Sequence, residues 1–267
     1  MKQEIVSRTN QIGWNQSAYQ AWTNRHGSPK EYAQKLIANP TSSVEHYLKF
    51  IGEVKDKKIA NLLGSKGNKA VSFALLGAEV TVVDISQDNK KYAMELADEA
   101  KVNIKYIVSD ILEVPDDEVL IDFDVTLLEL GVLHYFVDLR PLFKVVYDSL
   151  KYGGQFILRD YHPFVSKLLN VEDRRMIASG DYFNEEAIEE DVAYSILLSE
   201  EDRASLQKVT IRRWTLGEIV TAISNAGFRI NYLEEEARVR WALPAGSPEG
   251  IEDKVPALYT LIATKEE

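Results

Sequence analysis

Between residues 58 and 160 the chain alternates short apolar runs with longer amphipathic stretches. Runs at 59–63, 79–84, 104–108, 123–128 and 155–160 have strand length, and turn residues bound them. The segments between them, 68–76, 87–100 and 139–150, have helical spacing. Strands alternating with helices of this length predict a parallel sheet covered on both faces, with right-handed crossovers. The rhythm changes near the end. "TLGEIVTAISNAGF" predicts a helix with Thr215 as N-cap, Glu218 as its capping-box partner and Gly227 at its stop. Two β-like runs follow, "RINYLEEE" and "ALYTLIATK", and predict an antiparallel pair at the sheet edge.

The first fifty or so residues predict helices joined by short turns. "SPKEYAQKLIANP" opens with Ser28 as N-cap and Pro29 at the first helical position, and Asn39-Pro40 closes it. "TSSVEHYLKFIG" carries Val44, Tyr47, Leu48 and Ile51 at helical spacing. "GWNQSAYQAWTNRHG" is expected to be one helix with Trp14, Ala18, Ala21 and Trp22 on one side. Residues 163–213 are charged and lack clean periodicity, so they are expected to be an irregular insertion over the strand ends. The fold expected is α/β: a doubly wound, Rossmann-like, mostly parallel seven-stranded sheet with an antiparallel C-terminal edge strand, plus N-terminal helices.

Composition narrows the chemistry. The chain has 267 residues, 45% of them hydrophobic, enough for one large α/β domain. It has no cysteine, which excludes disulfides, thiolate metal sites and cysteine nucleophiles. A formal charge of -11 disfavours a nucleic-acid partner, because its basic groups are short and scattered. No apolar stretch has the length of a membrane span, so a cytoplasmic protein without a membrane partner is expected.

Ligands of open parallel sheets bind beyond the carboxyl ends of the strands. The loop "NLLGSKGNKA" sits at the first such end, where Gly64 and Gly67 permit tight turning and close backbone approach. Its G-x-x-G-x-x-A spacing is neither a dinucleotide fingerprint nor a Walker loop. Asp84 follows Gly64 by about 20 residues, the interval of an acid that binds ribose hydroxyls. Asp110 and Glu129 sit at the ends of the next two strands. Together these residues place a polar group at each of four successive strand ends.

These motifs, with "VTVVDIS", "IVSDIL", "DVTLLELGVLHYF", "LKYGGQFILRDYHP" and "WTLGEIVTAISNAGFRINYLEEE", resemble class I S-adenosylmethionine-dependent methyltransferases of the bacterial small-molecule type. The resemblance implies a helical cap over residues 1–57 and a cofactor-binding domain over 58–267, with the insertion at about 163–213. It implies that S-adenosyl-L-methionine is the cofactor and S-adenosyl-L-homocysteine the product. Asn61, Gly64, Ser65, Gly67 and Asn68 would hold the methionine tail, Asp84 and Ile85 the ribose, and Asp110 and Ile111 the adenine. Glu129 and Leu130 would lie near the sulfonium or tail. The sequence departs from the family at Asn61, where an acid is usual, and at Ser65-Lys66-Gly67. A small-molecule methyl acceptor is expected, on a monomer or homodimer.

Candidate acid–base residues at strand ends are His134, beside Tyr135 after the fourth strand, and the cluster Asp160-Tyr161-His162 at the end of the fifth. Trp14, Tyr19, Trp22 and Tyr161 are candidates for a lid or acceptor pocket, as are Trp214 and Trp241. Asp160 and His162 alternate as metal ligands would, but no third ligand is near, so no metal is expected. Two rival functions stand beside the first. An NAD(P)-dependent oxidoreductase would use the spaced pair Tyr147 and Lys151, although these precede the fifth strand rather than follow it. A non-catalytic S-adenosylmethionine-binding protein is the other rival.

Overall fold

A computed structural model describes residues 1–266. Four helices come first: α1 (Gln3–Trp14), α2 (Ala18–His26), α3 (Pro29–Ala38) and α4 (Glu45–Ile51). The alternating part follows as β1 (Lys58–Leu62), α5 (Asn68–Leu75), β2 (Glu79–Asp84), α6 (Gln87–Glu99), β3 (Lys105–Val108), β4 (Phe123–Glu129), α7 (Leu139–Ser149) and β5 (Leu150–Tyr161). These agree with the expected elements to within a residue or two, except that β5 starts five residues before 155. The chain passes from α7 straight into extended backbone, and the residues around Gly153 shift the register against β4.

The insertion is more ordered than its sequence indicates. It holds a hairpin of β6 (Leu169–Glu172) and β7 (Arg175–Ala178), then β8 (Ile188–Glu190), the short α8 (Glu200–Ala204) and β9 (Val209–Ile211), which pairs with β8. These strands are three or four residues long, too short for alternation to mark them even where it exists, as in β6 (LNVE) and β9 (VTI). Last come α9 (Leu216–Asn225), β10 (Phe228–Glu236) and β11 (Leu258–Lys265). Thr215 and Glu218 form the expected capping box.

The main sheet has seven strands in the order β10-β11-β5-β4-β1-β2-β3. Strands β1 to β5 pair in parallel, whereas β11 is antiparallel to both β5 and β10. The antiparallel pair is at the edge as expected, and within it the last strand is inserted between β5 and β10. One face of the sheet packs against α3 to α6 around Tyr47, Phe73 and Tyr92. The other packs against α7 and α9, where Phe143, Phe156 and Phe228 form a buried aromatic chain. Burying side chains of this size contributes roughly 1.5–3 kcal/mol each. Strand order reverses between β1 and β4, which opens a crevice at their carboxyl ends.

One expected helix is two. The chain breaks between Trp14 and Ala18, where the Asn15 side chain accepts from the Gln87 N–H and the Ser17 N–H bonds the Tyr194 hydroxyl. These outside partners replace the intrahelical bonds. Trp14, Ala18, Ala21 and Trp22 still share one apolar cluster, with Tyr194 at its centre.

Candidate active site

The crevice is a cavity of ≈ 340 Å³ whose floor is the carboxyl ends of β1 to β4. Its first wall is the loop after β1. Leu63, Ser65 and Gly67 all have positive φ (49°, 50° and 70°), which turns successive peptide groups alternately. A Cβ at Gly64 would lie 2.8 Å from the Asn61 carbonyl oxygen and 2.8 Å from Val82 Cγ1, so only glycine fits there. At Gly67 a Cβ would meet the Ala93 Cβ at 2.6 Å. That glycine packs the loop against α6.

Asp84 forms the second wall. Its Oδ2 accepts from the Ser65 N–H at 2.9 Å, and its Oδ1 from the Ser86 N–H and Asn89 Nδ2, both at 3.0 Å. Burial raises its pKa, and these three donors oppose the rise. Asn89 in turn accepts from Trp22 Nε1 at 2.8 Å, which ties α2 to the acid. Asp110 and the flat side of Ile111 complete the β3 end, where Asp110 Oδ1 caps the Leu112 N–H. At the β4 end Glu129 is held by Lys69 Nζ at 2.8 Å and by the Tyr47 hydroxyl. Leu130 and Gly131 both have positive φ (49° and 81°) and turn the chain over the cavity. A strained pair at such a place is common in ligand sites.

Of the eleven residues proposed to contact a cofactor, Gly64, Ser65, Asn68, Asp84, Ile85, Asp110, Ile111, Glu129 and Leu130 line this cavity. Asn61 and Gly67 do not. Asn61 is wholly buried within β1, beneath the loop, and neither of its amide atoms has a hydrogen-bond partner among the described residues. The loop after β1 instead sends Lys66 into the cavity. Its Nζ sits 4.5 Å from the Trp22 ring centroid, and among the described residues it has no ion-pair partner. Burial lowers its pKa to about 7, helped by the nearby Lys69. Lysine in the turn was visible in the sequence, but its direction was not.

Helix α1 and the insertion roof the cavity. Gln3, Ser7, Asn10 and Trp14 face it. Asn10 exchanges two hydrogen bonds with the Thr210 backbone of β9, at 2.9 and 2.7 Å. The Tyr194 hydroxyl donates to the Gly13 carbonyl at 2.6 Å. Gln3 holds the other end of α1 to Tyr135 and Val137. Sequence periodicity could not reveal these contacts, because they join residues about 130 to 200 positions apart.

The remaining candidates separate clearly. His134 and Tyr161 line the main cavity and also a second, adjoining one. Burial lowers the His134 pKa to about 3, with a contribution from Arg213, so its ring is neutral near pH 7. Tyr135 lines the main cavity, and burial raises its pKa so that it keeps its proton. Trp14 and Trp22 are wall residues. Tyr19 is not: its hydroxyl donates to Glu95 at 2.6 Å and its ring packs on Tyr92. His162 lies in neither cavity. Its Nδ1 accepts from the Phe164 N–H, and its Nε2 lies 2.8 Å from Glu235 but outside hydrogen-bonding direction. These contacts fasten its ring to the chain after β5 and beside β10. Trp214 lines the second cavity, whereas Trp241 is 61% exposed and lies elsewhere. Asp160 lines the second cavity. Among the described residues no three His, Asp or Glu side chains gather as metal ligands. The Tyr147–Lys151 pair lies at the opposite end of the sheet, with Lys151 bound to Asp124 beside the start of β1.

Residues 63–158 match the family described as methyltransferase domain. No curated protein matches the chain. Solved structures share its fold. An S-adenosylmethionine-dependent methyltransferase from Mesorhizobium loti is 23% identical, covering 82% of this chain and 96% of that one, with a TM-score of 0.61. Another from Clostridium acetobutylicum is 15% identical, covering 84% and 89%, at 0.57. The magnesium protoporphyrin IX methyltransferase from Synechocystis, solved with bound S-adenosylhomocysteine, is 13% identical and covers 97% and 99%, at 0.59. Among the described residues no helix is long and apolar enough to cross a membrane.

Proposed function

From a chain that carries a methyltransferase domain on a class I, Rossmann-like fold, we propose an enzyme that moves a methyl group from S-adenosylmethionine to a small-molecule acceptor. One observation supports this most. The Gly64 loop, Asp84, Asp110 and Glu129 leave four consecutive strand ends and converge on a single cavity. That cavity has the size of a small-molecule site, with apolar flats at Ile85 and Ile111 beside polar points. It offers backbone turns and carboxylates rather than a phosphate cradle, which suits a nucleoside without phosphate.

In this reading residues 1–57 are a cap, residues 58–267 are the catalytic domain, and the segment at about 163–213 shapes the acceptor side. When bound, S-adenosylmethionine supplies an electrophilic methyl on a sulfonium. Asp84 accepts a ribose hydroxyl through the Oδ2 lone pair that Ser65, Ser86 and Asn89 leave free. Asp110 and Ile111 receive the adenine. Lys66, rather than Asn61, meets the amino-acid tail through its carboxylate. Glu129, already neutralised by Lys69, orients the ammonium end. The roof of α1 and Tyr135 excludes water, and in-line displacement then needs mainly position and desolvation.

Calorimetric titration with S-adenosylhomocysteine tests the site. Binding is expected, and Asp84→Asn is expected to weaken it by roughly tenfold or more, since bonds to a charged acceptor contribute about 1.5–3 kcal/mol. The isosteric change keeps one oxygen, which can serve the Ser86 N–H and Asn89, but sets an amide NH2 against the Ser65 N–H, so folding is checked by an unchanged circular dichroism spectrum. Failure to bind at millimolar ligand, or copurification of a nicotinamide dinucleotide, overturns the reading.

A further inference from the structure

Beside the main cavity lies a second chamber of ≈ 260 Å³, and the two share His134 and Tyr161 as walls. The chamber is mostly apolar: Leu133, Pro163, Ile211, Ile219 and the Trp214 ring surround it. The Arg212 guanidinium sits 3.5 Å from the centroid of that ring and holds it in place. Arg213 and Glu190, paired with each other, stand in its wall.

Two polar groups in this chamber have bonding capacity unused. Asp160 is 6% exposed and has no cationic partner among the described residues. Its Oδ1 accepts from the Gly131 N–H at 2.5 Å and the Tyr161 N–H at 2.8 Å, and the Leu133 N–H also favours the charged carboxylate, which still leaves it lone-pair capacity toward the chamber. Tyr259 is fully buried, and its hydroxyl has no partner among the described residues. Sheet pairing makes these two neighbours: Tyr259 of β11 is the register partner of Asp160 of β5, so both side chains stand on one face. Leaving a buried carboxylate and a buried hydroxyl both short of partners is costly in a merely structural site. Burial also raises the Asp160 pKa to about 6, against the pull of its backbone donors. Such a carboxylate is ionised at neutral pH yet basic enough to receive a proton.

We propose that this chamber is the acceptor site, that it takes a compact aromatic ring bearing a hydroxyl, and that Asp160 is the general base for its methylation. The inference rests on the methyl-donor reading of the main cavity. The ring fits against Trp214 and the aliphatic walls; a dry cavity of about 150 Å³ already holds benzene, so this one has room for substituents. Its hydroxyl meets Asp160 Oδ2 and Tyr259 Oη. Asp160 takes the hydroxyl proton while the oxygen forms its bond to the methyl carbon; the carbon–sulfur bond breaks and its electron pair stays on sulfur. The products are a methyl ether, a neutral thioether and a protonated Asp160, which releases its proton to water. Tyr259 is a positioning residue that holds the oxygen in line.

Binding of catechol and of its dimethyl ether, 1,2-dimethoxybenzene, to the full chain separates the outcomes, with quenching of tryptophan fluorescence as readout. Catechol is expected to bind, and the ether, which lacks the proton, to bind roughly tenfold more weakly or less. Asp160→Asn is expected to weaken catechol by a similar factor while S-adenosylhomocysteine affinity stays unchanged, because the amide oxygen still accepts from Gly131 and Tyr161. Tyr259→Phe is expected to lower catechol affinity in the same direction. With labelled S-adenosylmethionine, transfer to catechol should fall below pH 6 in the wild type. Equal binding of catechol and the ether, no catechol binding, or an unaffected Asp160→Asn variant overturns the proposal. Catechol binding is measured without cofactor, so its failure is distinct from failure of the S-adenosylhomocysteine titration, which bears on the main cavity alone.

Discussion

Lys66 shows how one side chain changes the electrostatics of a site. The loop could present a lysine to solvent, but here its Nζ lies over Trp22 and inside the cavity. Desolvation brings its pKa down to about 7, so it is charged below that pH and increasingly neutral above it. If it meets the carboxylate of an amino-acid tail, affinity for S-adenosylhomocysteine should fall as pH rises from 6 to 8.5. Lys66→Met should weaken binding and flatten that dependence; titrations across the range check both, and a dependence that survives in the variant rules out this role. Asn61 is the opposite case. Its position at the end of β1 is that of a ligand residue, yet the sheet register buries it between β2 and β4. Asp160 was legible in the sequence as one of several acid–base candidates at the end of a strand. Its place beside the Tyr259 hydroxyl, which has no partner among the described residues, depends on the pairing of β5 with β11, which lie about a hundred residues apart.

At the level of elements, the N-terminal helices and the insertion act as one roof, although their sequences look unrelated. Asn10 and Thr210 join α1 to β9 through two buried hydrogen bonds, and a Cβ at Gly13 would lie 2.8 Å from Val209 Cγ1, so the helix approaches the strand closely. Replacing Asn10 by Ala strands the Thr210 N–H and C=O, which costs about 1–3 kcal/mol. Asn10→Ala should therefore lower the urea midpoint and speed release of S-adenosylhomocysteine in stopped flow. Unchanged release would mean that α1 does not cover the ligand. The parallel core was legible because each strand is an apolar run of ordinary length and each helix has a clear cap. The insertion strands were not, since runs of three or four residues are too short for alternation to identify a strand.

Over the whole molecule, the four histidines share a feature: His26, His46, His134 and His162 all have lowered pKa values, and burial is the largest cause for each. The values for His26 and His134 are about 4 and about 3. The native state thus binds fewer protons at these groups than the unfolded chain, whose histidines titrate near 6.5. The stability they support is full above about pH 7 and is lost as pH falls through 6.5 toward the folded values. Asp84 and Asp160 oppose this, because their raised pKa values make the folded protein take up protons first, near pH 6 for Asp160. With four groups against two, the melting temperature should drop between pH 7 and pH 5. His134→Gln should shrink the drop; a melting temperature that rises over that interval contradicts the assignment.

The sequence alone determined the parallel sheet, its antiparallel partner strands and the four strand-end groups, because apolar periodicity, caps and glycines act locally. Nine of the eleven cofactor candidates reach the cavity for the same reason: the end of a strand faces the crevice whatever covers it. Only the tertiary structure decided which polar atoms remain without partners. That outcome placed Lys66 rather than Asn61 in the cavity, left His162 outside both cavities, and turned Asp160 with Tyr259 toward a second chamber. Hydrogen-bond satisfaction and desolvation depend on every neighbour in space, and those neighbours come from strands and helices distant in the chain.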